Sequence, residues 1–118
     1  MSNESEIDDL RKERKELREE KKRYKDMADS LDKILDKLKS SKSFLDEGIS
    51  IFKENYISNS ESYKRNEIDI DTNYNIVCNI YDNINDEILP SCNKKIKSLE
   101  EKIEDLTDEI DDLKESDE

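Results

Sequence analysis

The side chains able to do chemistry in this sequence are many in number and few in kind. Its 118 residues hold 33 Asp and Glu, 21 Lys and Arg, two Cys, one Gly and no His. Without His there is no Ser/His/Asp or Cys/His arrangement to activate a nucleophile. A single glycine, Gly48, gives no phosphate-cradling loop. The thiols, Cys78 and Cys92, form no Cys-x-x-Cys pair, and zinc chemistry is not expected of them. On one straight helix they would stand about 21 Å apart at 1.5 Å per residue. A disulfide needs Cα atoms within about 7 Å. Asp69, Asp71, Asp82 and Asp86 could hold calcium weakly, but the spacing and turn glycine of an EF-hand are missing. The basic run from Arg11 to Lys25 is interleaved with glutamates in a chain of net charge -12. That balance argues against nucleic acid as a partner. The expectation is no enzyme activity, no cofactor and no metal.

The elements that carry these side chains are far more legible. Leu10, Leu17, Tyr24, Leu31, Leu38, Leu45 and Phe52 recur every seven residues, a position labelled d. Position a then holds Ile7, Arg14, Lys21, Ala28, Leu35, Lys42, Ile49 and Tyr56. This repeat predicts one long helix with a coiled-coil seam, roughly 75 Å from residue 7 to 56. Near the other end Ile96, Leu99, Ile103, Leu106, Ile110 and Leu113 alternate at spacings of three and four. Val77, Tyr81, Ile84 and Ile88 do the same in another frame, and the two frames meet through a run of fours at Ile88, Cys92 and Ile96. Such a stutter shifts the seam. Pro90, beside it, removes an N–H and disfavours a straight helix. The reading is an all-α antiparallel helical hairpin in a single domain: helix one over about residues 7–56, a connection over about 57–72, and helix two over about 73–114, bent near Pro90. Two separate helices in place of the bent one are the alternative. The connection is rich in Ser and Asn, and Ile68–Asp71 alternates at period two as a short extended piece would.

Charge favours the antiparallel arrangement. Residues 1–56 carry 14 basic and 15 acidic side chains, and residues 57–118 carry 7 and 18. A hairpin lays the basic segment Arg11–Lys25 beside the acidic end of the chain, so that Arg14 and Lys21 face the second helix and Lys25 meets Glu100. A parallel homodimer is the rival, supported by Glu6, Glu13 and Glu20 at g with Arg11, Arg18 and Lys25 at e. It would stack Arg14 and Lys21 on their own copies inside the seam. The thin apolar stripe of residues 1–25 predicts a segment that is marginal alone and firmer in a complex.

Toward the turn the apolar face widens beyond one seam. Leu31, Ile34, Leu38, Phe44, Leu45, Ile51, Phe52 and Tyr56 on the first helix, with Val77, Ile80, Tyr81, Ile84 and Ile88 on the second, form the candidate partner-binding set. A face wider than a single stripe needs a second surface to cover it. The occupant would be a copy of this chain or a different helical protein. No run approaches the length of a membrane span, and no membrane insertion is expected. The acidic start of the chain lacks the apolar core of a secretory signal, which predicts a cytoplasmic protein.

Two stretches also carry a family resemblance. The first helix ends in Phe44-Leu-Asp-Glu-Gly-Ile-Ser-Ile-Phe-Lys-Glu-Asn-Tyr56, and the second carries Ile88-Leu-Pro-Ser-Cys-Asn-Lys-Lys-Ile96 and Ser98-Leu-Glu-Glu-Lys-Ile-Glu-Asp-Leu106. With the polar connection between them, they resemble the YwqH-like helical accessory proteins associated with LXG toxins, distant relatives of the WXG (Esx-like) hairpins. The resemblance implies a non-enzymatic adaptor. Such a protein would bind the helical N-terminal domain of an LXG-type toxin and other small helical hairpins, and would aid type VII secretion, with export alongside its partner open to it. The alternatives are a self-associating structural coiled coil, and a prefoldin-like chaperone subunit, which would need strands near Ile68–Ile70.

Overall fold

A computed structural model describes residues 3–55 and 61–116. Helix α1 spans Glu4–Asn55, α2 spans Glu61–Asn83, a π-helical turn spans Ile84–Ile88, and α3 spans Leu89–Ser116. No strand occurs among the described residues. The fold is the expected all-α helical hairpin.

In α1 the heptad frame sorts the side chains by burial. Every d residue from Leu10 to Phe52 is half-buried. At a, Ile7, Ala28 and Leu35 are buried, while Arg14, Lys21, Lys42 and Ile49 are half-buried. Most positions off the seam are exposed, as a two-helix coiled coil requires.

Two compact units make up the chain: residues 1–29 with 90–118, and residues 30–89. The first unit is an antiparallel pair. Arg14 Nη1 donates to Thr107 Oγ1 at 3.2 Å, and Lys21 Nζ lies 3.4 Å from Glu100 Oε1. The basic a residues thus do face the acidic helix, but Glu100 pairs with Lys21, one turn before Lys25. The reason is reach. From the seam's edge a lysine stem lies along the apolar surface and puts its ammonium on a flanking carboxylate. At the end of the pair Asn3 Nδ2 donates to Leu113 O at 3.3 Å and to Ser116 Oγ at 2.9 Å. One of the carbonyls that a helix end leaves without an intrahelical donor is thereby satisfied. Leu99 and Ile110 are each 1% exposed, so the deepest burial in the described chain lies in this unit.

The second unit pairs the rest of α1 with α2 and the π turn around buried Leu35 and Ile84. Two readings of the connection need correction here. Helix α2 begins at Glu61, not near residue 73, and residues 57–60 lie outside the described part. Ile68–Asp71 is helical, with Thr72 Oγ1 donating to Ile68 O at 2.8 Å, one turn back. Ser and Asn have only modest helix penalties. Glu67, Ile70, Tyr74, Val77 and Tyr81 keep a three-and-four spacing, and all are half-buried. Packing along that stripe overrides the local turn signal. A strand would have needed Ile68 and Ile70 on one face. Here Ile70 is on the seam, and Ile68 is 67% exposed.

The change of frame near Pro90 is taken up inside a continuous helical run. Leu89 N–H donates to Ile84 O, five residues back. Pro90 has no N–H to offer Asp86 O, and its ring crowds that carbonyl. A wide turn accommodates both. The seam therefore steps from Ile84 to half-buried Leu89 and on to buried Cys92, while Ile88 is turned outward. The expected run of fours through Ile88 is replaced by one step of five.

Candidate docking face

The candidate residues fall into two groups. Leu31, Leu38, Leu45 and Phe52 at d, with Val77 and Tyr81, are half-buried on the hairpin's own seam. Ile84 is 9% exposed and belongs to the core, which corrects its assignment to a partner surface. It occupies the last seam position before the wide turn, where Leu35 and Ile84 form the unit's buried centre. Ile34, Phe44, Ile51, Ile80 and Ile88 are exposed, Phe44 most of all at 77%. Tyr56 lies outside the described residues. Ile76, Ile68 and Met27 are also exposed and were not in the candidate set. Reading g and c as a second repeat would have found Met27 at g and Ile76 beside Ile80.

The exposed group has a side. On α1, Ile34 sits at g and Phe44 and Ile51 at c. On α2 the seam residues Glu67, Tyr74 and Tyr81 take one core position, and Ile70, Val77 and Ile84 the other. That frame puts Ile80 at g and Ile76 at c. In an antiparallel pair the two g positions flank each other, so these residues share one flank of the second unit. Lys37 and Asp69 are the only charges at g and c from Ser30 to Asn83 on the described helices. The chain as a whole is 46% charged. The opposite flank carries Asp32, Lys39, Asp46, Lys53 and Asp71 at e.

That opposite flank holds the one perturbed group among the described residues. The Tyr74 phenol hydrogen-bonds the Asp46 carboxylate, and this contact is the main reason that its pKa rises from 10.0 to about 12. Partial desolvation and a hydrogen bond with Cys78 add to it. The contact also sets the register of α2 on α1, with residue 74 level with residue 46. Cys78 is half-buried and free, and buried Cys92 donates its thiol to Tyr24 O at 3.2 Å.

Little of this invites chemistry on a small molecule. The hollow beside Phe44 is an open groove between Lys39, Ser40, Ser43 and Glu47. No group of three or more His, Cys, Asp or Glu suited to a metal occurs among the described residues. No helix there is long and apolar enough to cross a membrane. Comparisons with protein-family models, with curated proteins and with solved structures find no match to this chain.

Proposed function

We propose that this protein is a non-enzymatic helical adaptor whose second unit docks another helical protein. The observation that carries the reading is the one-sided, charge-poor apolar flank of Ile34, Phe44, Ile51, Ile76 and Ile80. Exposed apolar residues scattered singly need no explanation, whereas a contiguous patch marks an interaction surface. The flank suits a helix-in-groove contact, with Phe44 and Ile51 seven residues apart on α1 and Ile76 and Ile80 four apart on α2. The family resemblance names the partner class: the helical N-terminal domain of an LXG-type toxin, with delivery to a type VII secretion machine as the biological outcome.

The test is direct. Purified chain is mixed with the helical N-terminal domain of such a toxin from the same cells, and complex formation is followed by size exclusion and calorimetry. A stable complex that Phe44→Glu weakens at least tenfold supports the reading. No complex with the domain, at concentrations where both proteins are folded, overturns it. The prefoldin-like alternative asks for central strands, and Ile68–Ile70 is helical.

A further inference from the structure

We infer that, in the absence of its partner, the protein pairs with a second copy of itself across the Phe44 flank, antiparallel, with α1 on α1 and α2 on α2. The inference rests on the reading of that flank as a docking face and names its resting occupant.

The argument is one of self-complementarity. In a two-fold contact, a residue i that meets j on the copy requires j to meet i in return. A two-fold axis between Ser41 and Phe44 sets Ile34 against Ile51 of the copy, and Ile51 against Ile34. It sets Phe44, the most exposed large apolar side chain among the described residues, over Ser41. It also sets Lys37 over Gly48, where an added Cβ would meet nothing within 4 Å. The register given by Tyr74 and Asp46 places Ile76 level with Phe44 and Ile80 level with Ser40. The same axis then brings Ile76 against Ile80 of the copy. One axis satisfies both helices. No internal contact requires glycine at 48, in mid-helix, and this packing gives it a role.

Charge points the same way. Two chains of net charge -12 repel, yet the flank itself is neutral. Its Lys37 falls within a helical turn, along the axis, of the copy's Asp69. Between Ser30 and Asn83 no like charges on the flank oppose each other in this register. The size fits an exchangeable pair. From Ile34 to Ile51 is about 26 Å of helix, and two helices side by side are about 20 Å wide at an 8–10 Å spacing. The resulting area of about 500 Å² per copy is below the roughly 800 Å² of a standard interface. Such a pair dissociates readily when a better partner arrives.

Sedimentation velocity over a hundredfold concentration range, in high salt to screen the net charge, tests this on the full chain. The expected result is a monomer–dimer equilibrium in wild type. Phe44→Glu should weaken it at least tenfold with helicity unchanged. Gly48→Leu should weaken it similarly while raising Tm, because leucine is the better helix former. A fall in Tm would show that glycine is required inside the fold, and would overturn the role given to Gly48. A spin label on Ser41→Cys, in a chain that also carries Cys78→Ser and Cys92→Ala, should report a short distance between copies. A monomer at all concentrations overturns the self-pairing, as does a dimer indifferent to Phe44→Glu or a long distance between the labels. A monomer that still binds the toxin domain through Phe44 leaves the adaptor reading standing. A dimer through Phe44 that binds no toxin domain sinks the adaptor reading alone.

Discussion

Tyr74 offers the sharpest test at the scale of single residues. Its raised pKa means that folding favours the neutral phenol. The folded and unfolded forms are both protonated below pH 10, and the contact with Asp46 then contributes fully. Between pH 10 and about 12 the unfolded chain loses its proton first, so stability falls as pH rises through that window. Ultraviolet titration of the phenols should show a transition near 12 that Tyr74→Phe abolishes and Phe at no other tyrosine position removes, and Asp46→Asn should bring it down toward 10. Leu99 tests packing in the same direct way. At 1% exposure its truncation to alanine should cost about 2–4 kcal/mol in urea unfolding. The half-buried cations at a are a different kind of residue. Lys21 contributes little net energy through its partly exposed pair with Glu100, typically under about 1 kcal/mol, and Arg14 hydrogen-bonds Thr107. Their positions instead penalise the parallel dimer, which would stack each on its own copy.

Among the elements, the wide turn makes the clearest claim. If the seam steps from Ile84 to Leu89, then Ile88→Ala should change monomer stability by under about 0.5 kcal/mol. Leu89→Ala should cost about 1–3 kcal/mol, since it removes half-buried seam surface. Equal effects in a chemical denaturation series would contradict the five-residue step. The same element shows how far the amino-acid pattern could be read. Helix α1 was legible from end to end, because its seven-residue repeat carries an apolar residue at every d position from Leu10 to Phe52. The start of α2 was not. Its first described seam position is Glu67, which no hydrophobic count registers, and its conspicuous Ile68 faces out. The wide turn was half legible. Pro90 and the change of frame marked the place, but a run of fours and a step of five differ only in which of Ile88 and Leu89 turns inward, and both are apolar. The docking face was legible in its large members. Ile84 lies on the seam that the three-and-four spacing of Val77, Tyr81 and Ile84 marks, and its inclusion in the docking set took a core residue for a surface one.

For the molecule as a whole, the deepest burial among the described residues lies in the unit that holds the chain's first segment. The thin stripe of residues 1–25 suggested a marginal end, yet the unit that contains it holds Ile7, Leu99 and Ile110, all buried. Of the wide apolar face read near the turn, Ile34, Phe44, Ile51, Ile80 and Ile88 are exposed, and the other described members but Ile84 are half-buried. Packing, not apolar content, decides local stability. Hydrogen exchange should therefore find the amides around Leu99–Ile110 slower than those of α2 in the free protein. Faster exchange around Leu99 than around Ile76 would overturn that ranking. Binding at the docking face should slow α2 and leave the Leu99 region almost unchanged.

The two thiols divide between the units, with Cys78 half-buried in one and Cys92 buried in the other. Nature has thus placed one reporter in each. A small alkylating reagent should modify half-buried Cys78 more slowly than an open thiol but faster than Cys92, tracking shallow fluctuations of α2. Cys92, its sulfur hydrogen-bonded to Tyr24 O, can react only when the seam around it opens. Pulse labelling with mass readout would then give two separate clocks in unmodified protein, and occupancy of the docking face should slow the first while the second keeps time.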